Sequence, residues 1–161
     1  MKLVCLFVLS LIAPVYMLAQ APNKKSADEA NIRQIILEQE SAWNAGNAKE
    51  YSSRFQEVGV FTIITGSVFY SRRALEERVA QIFATVFKNS KLSQKIKNIR
   101  FVRKDIAIVN IETEMTGYQA LPPGVKASAD GRLRTSMLQL MAKERGKWRI
   151  AAFHNVDVKT P

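Results

Sequence analysis

Residues 133–156 read LRTSMLQLMAKERGKWRIAAFHNV. This stretch decides the fold. Two runs of alternating character flank Arg145-Gly146, a two-residue connection that fits a β-hairpin. Pairing across it sets Lys143 opposite Trp148, Met141 opposite Ile150, Gln139 opposite Ala152 and Met137 opposite His154. Successive residues of a strand point to opposite faces. Thr135, Met137, Gln139, Met141, Trp148, Ile150, Ala152 and His154 therefore share one side. Ser136, Leu138, Leu140, Ala151, Phe153 and Asn155 share the other. Both sides are largely apolar, whereas a sheet facing water on one side would alternate apolar and polar. The expectation is helices on one face and a partner subunit on the other. A one-residue bulge would exchange the two sets.

Working outward, residues 92–103 and 106–118 carry the same period of two, with Lys104-Asp105 as their tight connection. A longer loop, 119–131, contains Pro122-Pro123-Gly124. Upstream the period is helical. Ser26-Ala27-Asp28-Glu29 has capping-box spacing, and Ile32, Ile35, Ile36, Gln39 and Trp43 recur on one helical face. Gly46 is a stop signal. Asn47-Ala48-Lys49-Glu50 caps a second, short helix with Tyr51 and Phe55 one turn apart. Residues 58–65 read as a strand, Gly66-Ser67 as a turn and 68–70 as a return strand. Ser71 caps a third helix, with Leu75, Val79, Ile82, Phe83 and Val86 as its apolar face and an end near Asn89-Ser90. Helices, a hairpin, a helix and then a meander make an α+β fold: a strongly bent antiparallel sheet with about three helices on its concave face.

At 161 residues, with 47% hydrophobic and 24% charged, the chain reads as one globular domain. Met1-Lys2, an uncharged run through Ala19 and the small residues of Ala19-Gln20-Ala21 form a secretory signal pattern. The expected organisation is a signal peptide at 1–19 cleaved near Ala19, a tether at 20–27 and a domain at 28–157. The expected location is periplasmic or secreted. The single Cys, Cys5, lies in the signal, so the mature chain folds without disulfides.

Three patches together carry a family resemblance: Trp43-Asn44-Ala45-Gly46-Asn47, Ser71-Arg72-Arg73-Ala74-Leu75, and the closing run from Trp148 to Asn155. Over roughly residues 28–157 the chain resembles the NTF2-like superfamily, in its SnoaL-like, DUF4440 branch, and especially the SgcJ/EcaC family. The resemblance implies a cone-shaped fold, an apolar pocket between sheet and helices, and dimerisation through the outer sheet face. It also implies that enzymatic relatives of isomerase or cyclase type hold an acid–base carboxylate in the pocket.

The expected function is binding of a small, largely apolar molecule in that pocket. Two rivals stand beside it: an isomerase, dehydratase or cyclase using His154 as acid–base, and a structural dimer with a vestigial pocket. His154, the sole imidazole, reads either as that catalytic group or as a packed, hydrogen-bonded core residue. The candidate ligand-binding set is Trp43, Tyr51, Phe61, Thr135, Met137, Gln139 and His154, with core packing as the alternative for the aromatics. Glu112 and Glu114 share a strand side, as a carboxylate pair or a solvated rim. One Cys and one His exclude a structural zinc site. No G-x-G-x-x-G motif follows a strand, and neither metal nor cofactor is expected. The formal net charge of +10 favours acidic partners. Its densest part, Lys88, Lys91, Lys95, Lys97, Arg100, Arg103 and Lys104, has Phe101 as its lone aromatic and lacks a base-stacking platform. It reads as a solvated surface, then as attraction to anionic envelope surfaces; nucleic acid is not expected.

Overall fold

A computed structural model describes residues 24–158. The expected signal peptide and residues 20–23 lie outside the described residues. Helix α1 (Lys24–Asn44) and the short α2 (Ala48–Ser52) lead into β1 (Phe55–Thr62) and β2 (Val68–Ser71). Helix α3 (Arg72–Ala84) follows, and then β3 (Lys91–Arg103), β4 (Ile106–Thr116), β5 (Leu133–Glu144) and β6 (Lys147–Asp157). The six strands form one curled sheet in the order β2-β1-β6-β5-β4-β3. Its ladders are antiparallel except for β1 against β6, which is parallel. The expected antiparallel sheet is corrected at that one junction.

Local chemistry explains most boundaries. At the end of α1, Asn47 N–H donates to the Ala42 carbonyl and Gly46 N–H to the Trp43 carbonyl. This Schellman arrangement needs a left-handed residue, which Gly46 supplies with φ +66°. The Asn47 side chain then accepts from Glu50 N–H to start α2, and Ser71 accepts from Ala74 N–H to start α3. Helix α3 stops at Ala84, before the expected Asn89-Ser90. Phe55 opens β1 instead of closing α2, and β1 ends at Thr62, short of the expected Thr65.

The beginning of α1 also departs from expectation. Residues 24–27 are helical rather than a tether, so Ser26 lies inside α1 and not at the start that a Ser26–Glu29 capping box implies, and Asp28 reaches the sheet. Its carboxylate accepts from Lys143 Nζ (2.8 Å) and Trp148 Nε1 (3.0 Å), fastening α1 to the β5–β6 hairpin. Burial raises the Asp28 pKa, but the hydrogen bonds from Lys143 and Trp148 and the Lys143 and Lys24 charges outweigh it, and the pKa lies below the ordinary value.

The core fills the space between the helices and the concave face. From α1 come Ile32, Ile35, Ile36, Ala42 and Trp43; from β4, Ala107, Val109 and Ile111; from β5, Leu133, Met137 and Met141. Alternation along β5 holds throughout: odd positions from Leu133 to Met141 are buried, and even positions are half-buried or exposed.

In β6 the alternation breaks. Lys143 pairs with Trp148 and Met141 with Ile150, as the hairpin rule requires. A bulge at Ala151 then sets Leu140 opposite Ala152, Gln139 opposite Phe153, Leu138 opposite His154 and Met137 opposite Asn155. The extra residue reverses the sidedness beyond Ile150. Phe153 and Asn155 turn to the concave side, while Ala152 and His154 turn outward. The assignments of Ala152, Phe153, His154 and Asn155 made from an unbroken ladder are all corrected by this residue.

Candidate functional site

A cavity opens between the concave face and the helices. About 90 Å³ of it is open to the centre of a water-sized sphere. Helix α1 contributes Trp43, α2 Tyr51 and α3 Leu75, Arg78, Val79 and Ile82. The sheet contributes Thr113 and Met115 from β4, Leu133, Thr135 and Met137 from β5, and Phe153 and Asn155 from β6. The β1–β2 connection (Ile63, Ile64, Thr65), Phe87, Leu92 and Pro122 complete the wall. Thr65 is exposed and Arg78, Ile63, Ile64 and Pro122 are half-buried, whereas Leu75, Thr113, Leu133 and Thr135 are buried. The mouth thus lies between the β1–β2 connection, α3 and the Pro122 loop.

The polar groups of the wall are few. The Thr113 and Thr135 hydroxyls hydrogen-bond one another at 2.6 Å. Trp43 Nε1 donates to Ser90 Oγ at 3.0 Å, so the indole presents its ring to the cavity. Burial pushes the Tyr51 hydroxyl up to about 12, so it stays protonated at neutral pH. Asn155 Oδ1 is buried without a hydrogen-bond partner, which leaves an acceptor open on the wall. Among the described residues, Arg78 is the one charged residue lining the cavity, and no Asp, Glu or His does.

Of the residues singled out in the sequence, Trp43, Tyr51, Thr135 and Met137 meet on this wall. Phe61, Gln139 and His154 do not. Phe61 is fully buried, edge-on to Phe55 at 4.9 Å and stacked on Phe153 at 6.1 Å. Gln139 is fully buried behind the wall, and its Nε2 donates to Gln39 Oε1 of α1 at 3.1 Å. His154 is exposed on the outer face opposite Leu138. Glu112 and Glu114 are also outside the cavity. Lys97 pairs with Glu112, and Arg132 and Arg134 with Glu114. The hydrogen bonds from Arg132 and Arg134 hold the Glu114 carboxyl below its ordinary pKa. Sequence reasoning missed Asn155 because of the bulge. It missed Arg78 because the apolar face of α3 was read without its polar neighbour at the rim.

No protein-family model matches the chain, and no curated sequence matches it. Solved structures do. A domain of unknown function with a cystatin-like fold from Nostoc punctiforme superposes with a TM-score of 0.70 at 25% identity, covering 84% of this chain and 80% of that one. An NTF2-like protein of unknown function from Shewanella oneidensis gives 0.66 at 19% identity, covering 81% and 99%. A type 2 hexachlorocyclohexane dehydrochlorinase gives 0.70 at 10% identity, covering 84% and 88%. The chain has the NTF2-like, cystatin-like fold. Structures sharing it include enzymes and many proteins of unknown function.

Proposed function

We propose that the protein is an exported small-molecule binder of the SnoaL-like, DUF4440 branch, resembling the SgcJ/EcaC family, and that it works as a homodimer. The cavity between α3 and the sheet takes the ligand, a small and largely apolar molecule. The observation that carries this reading is the wall itself. It is aromatic and aliphatic over most of its extent, interrupted by isolated polar groups, as binding pockets are.

The rival isomerase, dehydratase or cyclase needs a group that exchanges a proton near neutral pH. His154, its candidate, stands on the outer face. Among the described residues the side chains on the cavity wall include no carboxylate and no imidazole, and Tyr51 is protonated. This wall favours binding over proton transfer.

Export rests on the uncharged run ending at Ala19. The dimer rests on the outer sheet face, where Val60, Leu138 and Val156 are 49%, 44% and 45% exposed; soluble monomers seldom leave such residues clustered in the open. Phe153, once counted on that face, is buried on the other.

The test is mass spectrometry of whatever is released when protein purified from its native host is denatured. The expected result is a small apolar compound in near-stoichiometric amount from the wild type and little from Met115→Trp, which fills the cavity. Equal release from both would overturn the reading. N-terminal sequencing of the same sample checks export: a start near Gln20 is expected, and a start at Met1 would overturn it.

A further inference from the structure

Arg78 differs from its neighbours on α3. Arg72 is ion-paired with Glu57, and Arg73 with Glu77 at 3.0 Å. Arg78 points to the mouth of the cavity, and its described hydrogen bond is a long one, 3.5 Å to Gln81 Oε1. Among the described residues no carboxylate forms an ion pair with it. A half-buried guanidinium without a counter-charge loses hydration, and one long hydrogen bond to a neutral amide offsets little of that loss. A carboxylate brought by a ligand would restore two charge-assisted hydrogen bonds in the geometry that arginine's fork favours. The net charge of +10 draws anions toward the protein from a distance. The dimensions set the rest of the molecule: a cavity of about 150 Å³ takes benzene, so one of about 90 Å³ that opens at its mouth admits a one-ring body at most, and a fused polycyclic one only if the wall moves.

Resting on the binding function proposed above, we propose that the ligand is a small monocarboxylate with a one-ring apolar body. Its carboxylate is held by Arg78 at the mouth. Its body lies against Trp43, Phe87, Leu133 and Met137.

Calorimetric titration tests this with benzoate, phenylacetate and cyclohexanecarboxylate, each beside its primary amide of nearly the same shape but no charge. At least one acid should bind about tenfold or more tightly than its amide, the preference expected of a hydrogen-bonded charge pair. Arg78→Gln should erase that preference by weakening acid binding at least about tenfold more than amide binding, and Arg78→Lys should restore part of it. Inorganic phosphate, an anion without an apolar body, should not displace the bound acid. Acids and amides that bind alike, an unaltered preference in Arg78→Gln, or displacement by phosphate would each overturn the carboxylate assignment and leave the apolar pocket standing. Failure of all six compounds to bind at millimolar concentration, together with no compound released on denaturation, would overturn both.

Discussion

Gly59 of β1 lies so close to the bulge in β6 that a Cβ built on it would stand 2.5 Å from the Ala151 carbonyl oxygen and closer still to the ring of Phe61. The carbonyl belongs to backbone and the ring is fully buried, so neither swings aside freely. β1 is itself irregular here, its pairing with β6 slipping between Phe55 and Val60. The two strands therefore accommodate each other, and the bulge that decides which side chains face the cavity is seated on a residue with no side chain.

Gly59→Ala should lower stability by about 1–3 kcal/mol, the range for forced overpacking. Urea denaturation of the variant beside the wild type measures it. An unchanged midpoint would show that the bulge has room to relax.

The exchanged parity of His154 and Asn155 separates their variants. His154→Gln, on the outer face, should shift stability by no more than about 0.5 kcal/mol and leave cavity binding intact. Asn155→Leu removes a buried acceptor without a partner, so its denaturation midpoint should hold or rise while ligand selectivity changes. Both properties are read on one sample of each variant. Loss of binding in His154→Gln alone would place the ring, not the amide, on the wall.

Asp28→Asn should cost about 1.5–3 kcal/mol near neutral pH, the scale of hydrogen bonds to a charged group. The carboxyl has a lowered pKa in the folded chain, against about 3.9 when unfolded. Its contribution is therefore complete above about pH 4 and fades as the pH falls through the folded value. The gap between the wild-type and Asp28→Asn midpoints should be constant from pH 5 to pH 8 and close below pH 4. A gap that widens in acid would contradict the placement of the carboxylate beside Lys143.

Leu138→Arg should convert the proposed dimer to a monomer, because it sets a charge on the outer face at a position 44% exposed in the single chain. Sedimentation velocity reads the outcome. A dimer of unaltered affinity would move the interface elsewhere.

Much of this architecture is legible because local signals and tertiary packing agree. The Gly46 stop and the Asn47 and Ser71 caps fall where the residues demand them, and the alternation of β5 sets Thr135, Met137, Gln139 and Met141 on one face in advance. The candidate site was legible as far as the alternation runs unbroken: Thr135 and Met137 reach the cavity because nothing intervenes along β5. It failed one strand away. A bulge leaves no local signature when the inserted residue is an alanine beside another alanine, and the residue that accommodates it, Gly59, lies some ninety positions upstream in the sequence. Helix α1 shows the same limit. Ser26 and Glu29 carry the spacing of a cap, yet α1 begins before them, and the function of this turn lies in Asp28, whose partners Lys143 and Trp148 are brought to it by the distant hairpin.

The Ala151 bulge has a consequence for descent. Because Ala151 is the extra residue, deleting its codon would leave Ala152 to Asp157 in register with β5 as they are now, with Asn155 still turned inward. Lineages that differ in length by one residue at this point should therefore present the same wall to the cavity, while the buried Phe61 ring would keep position 59 a glycine in both.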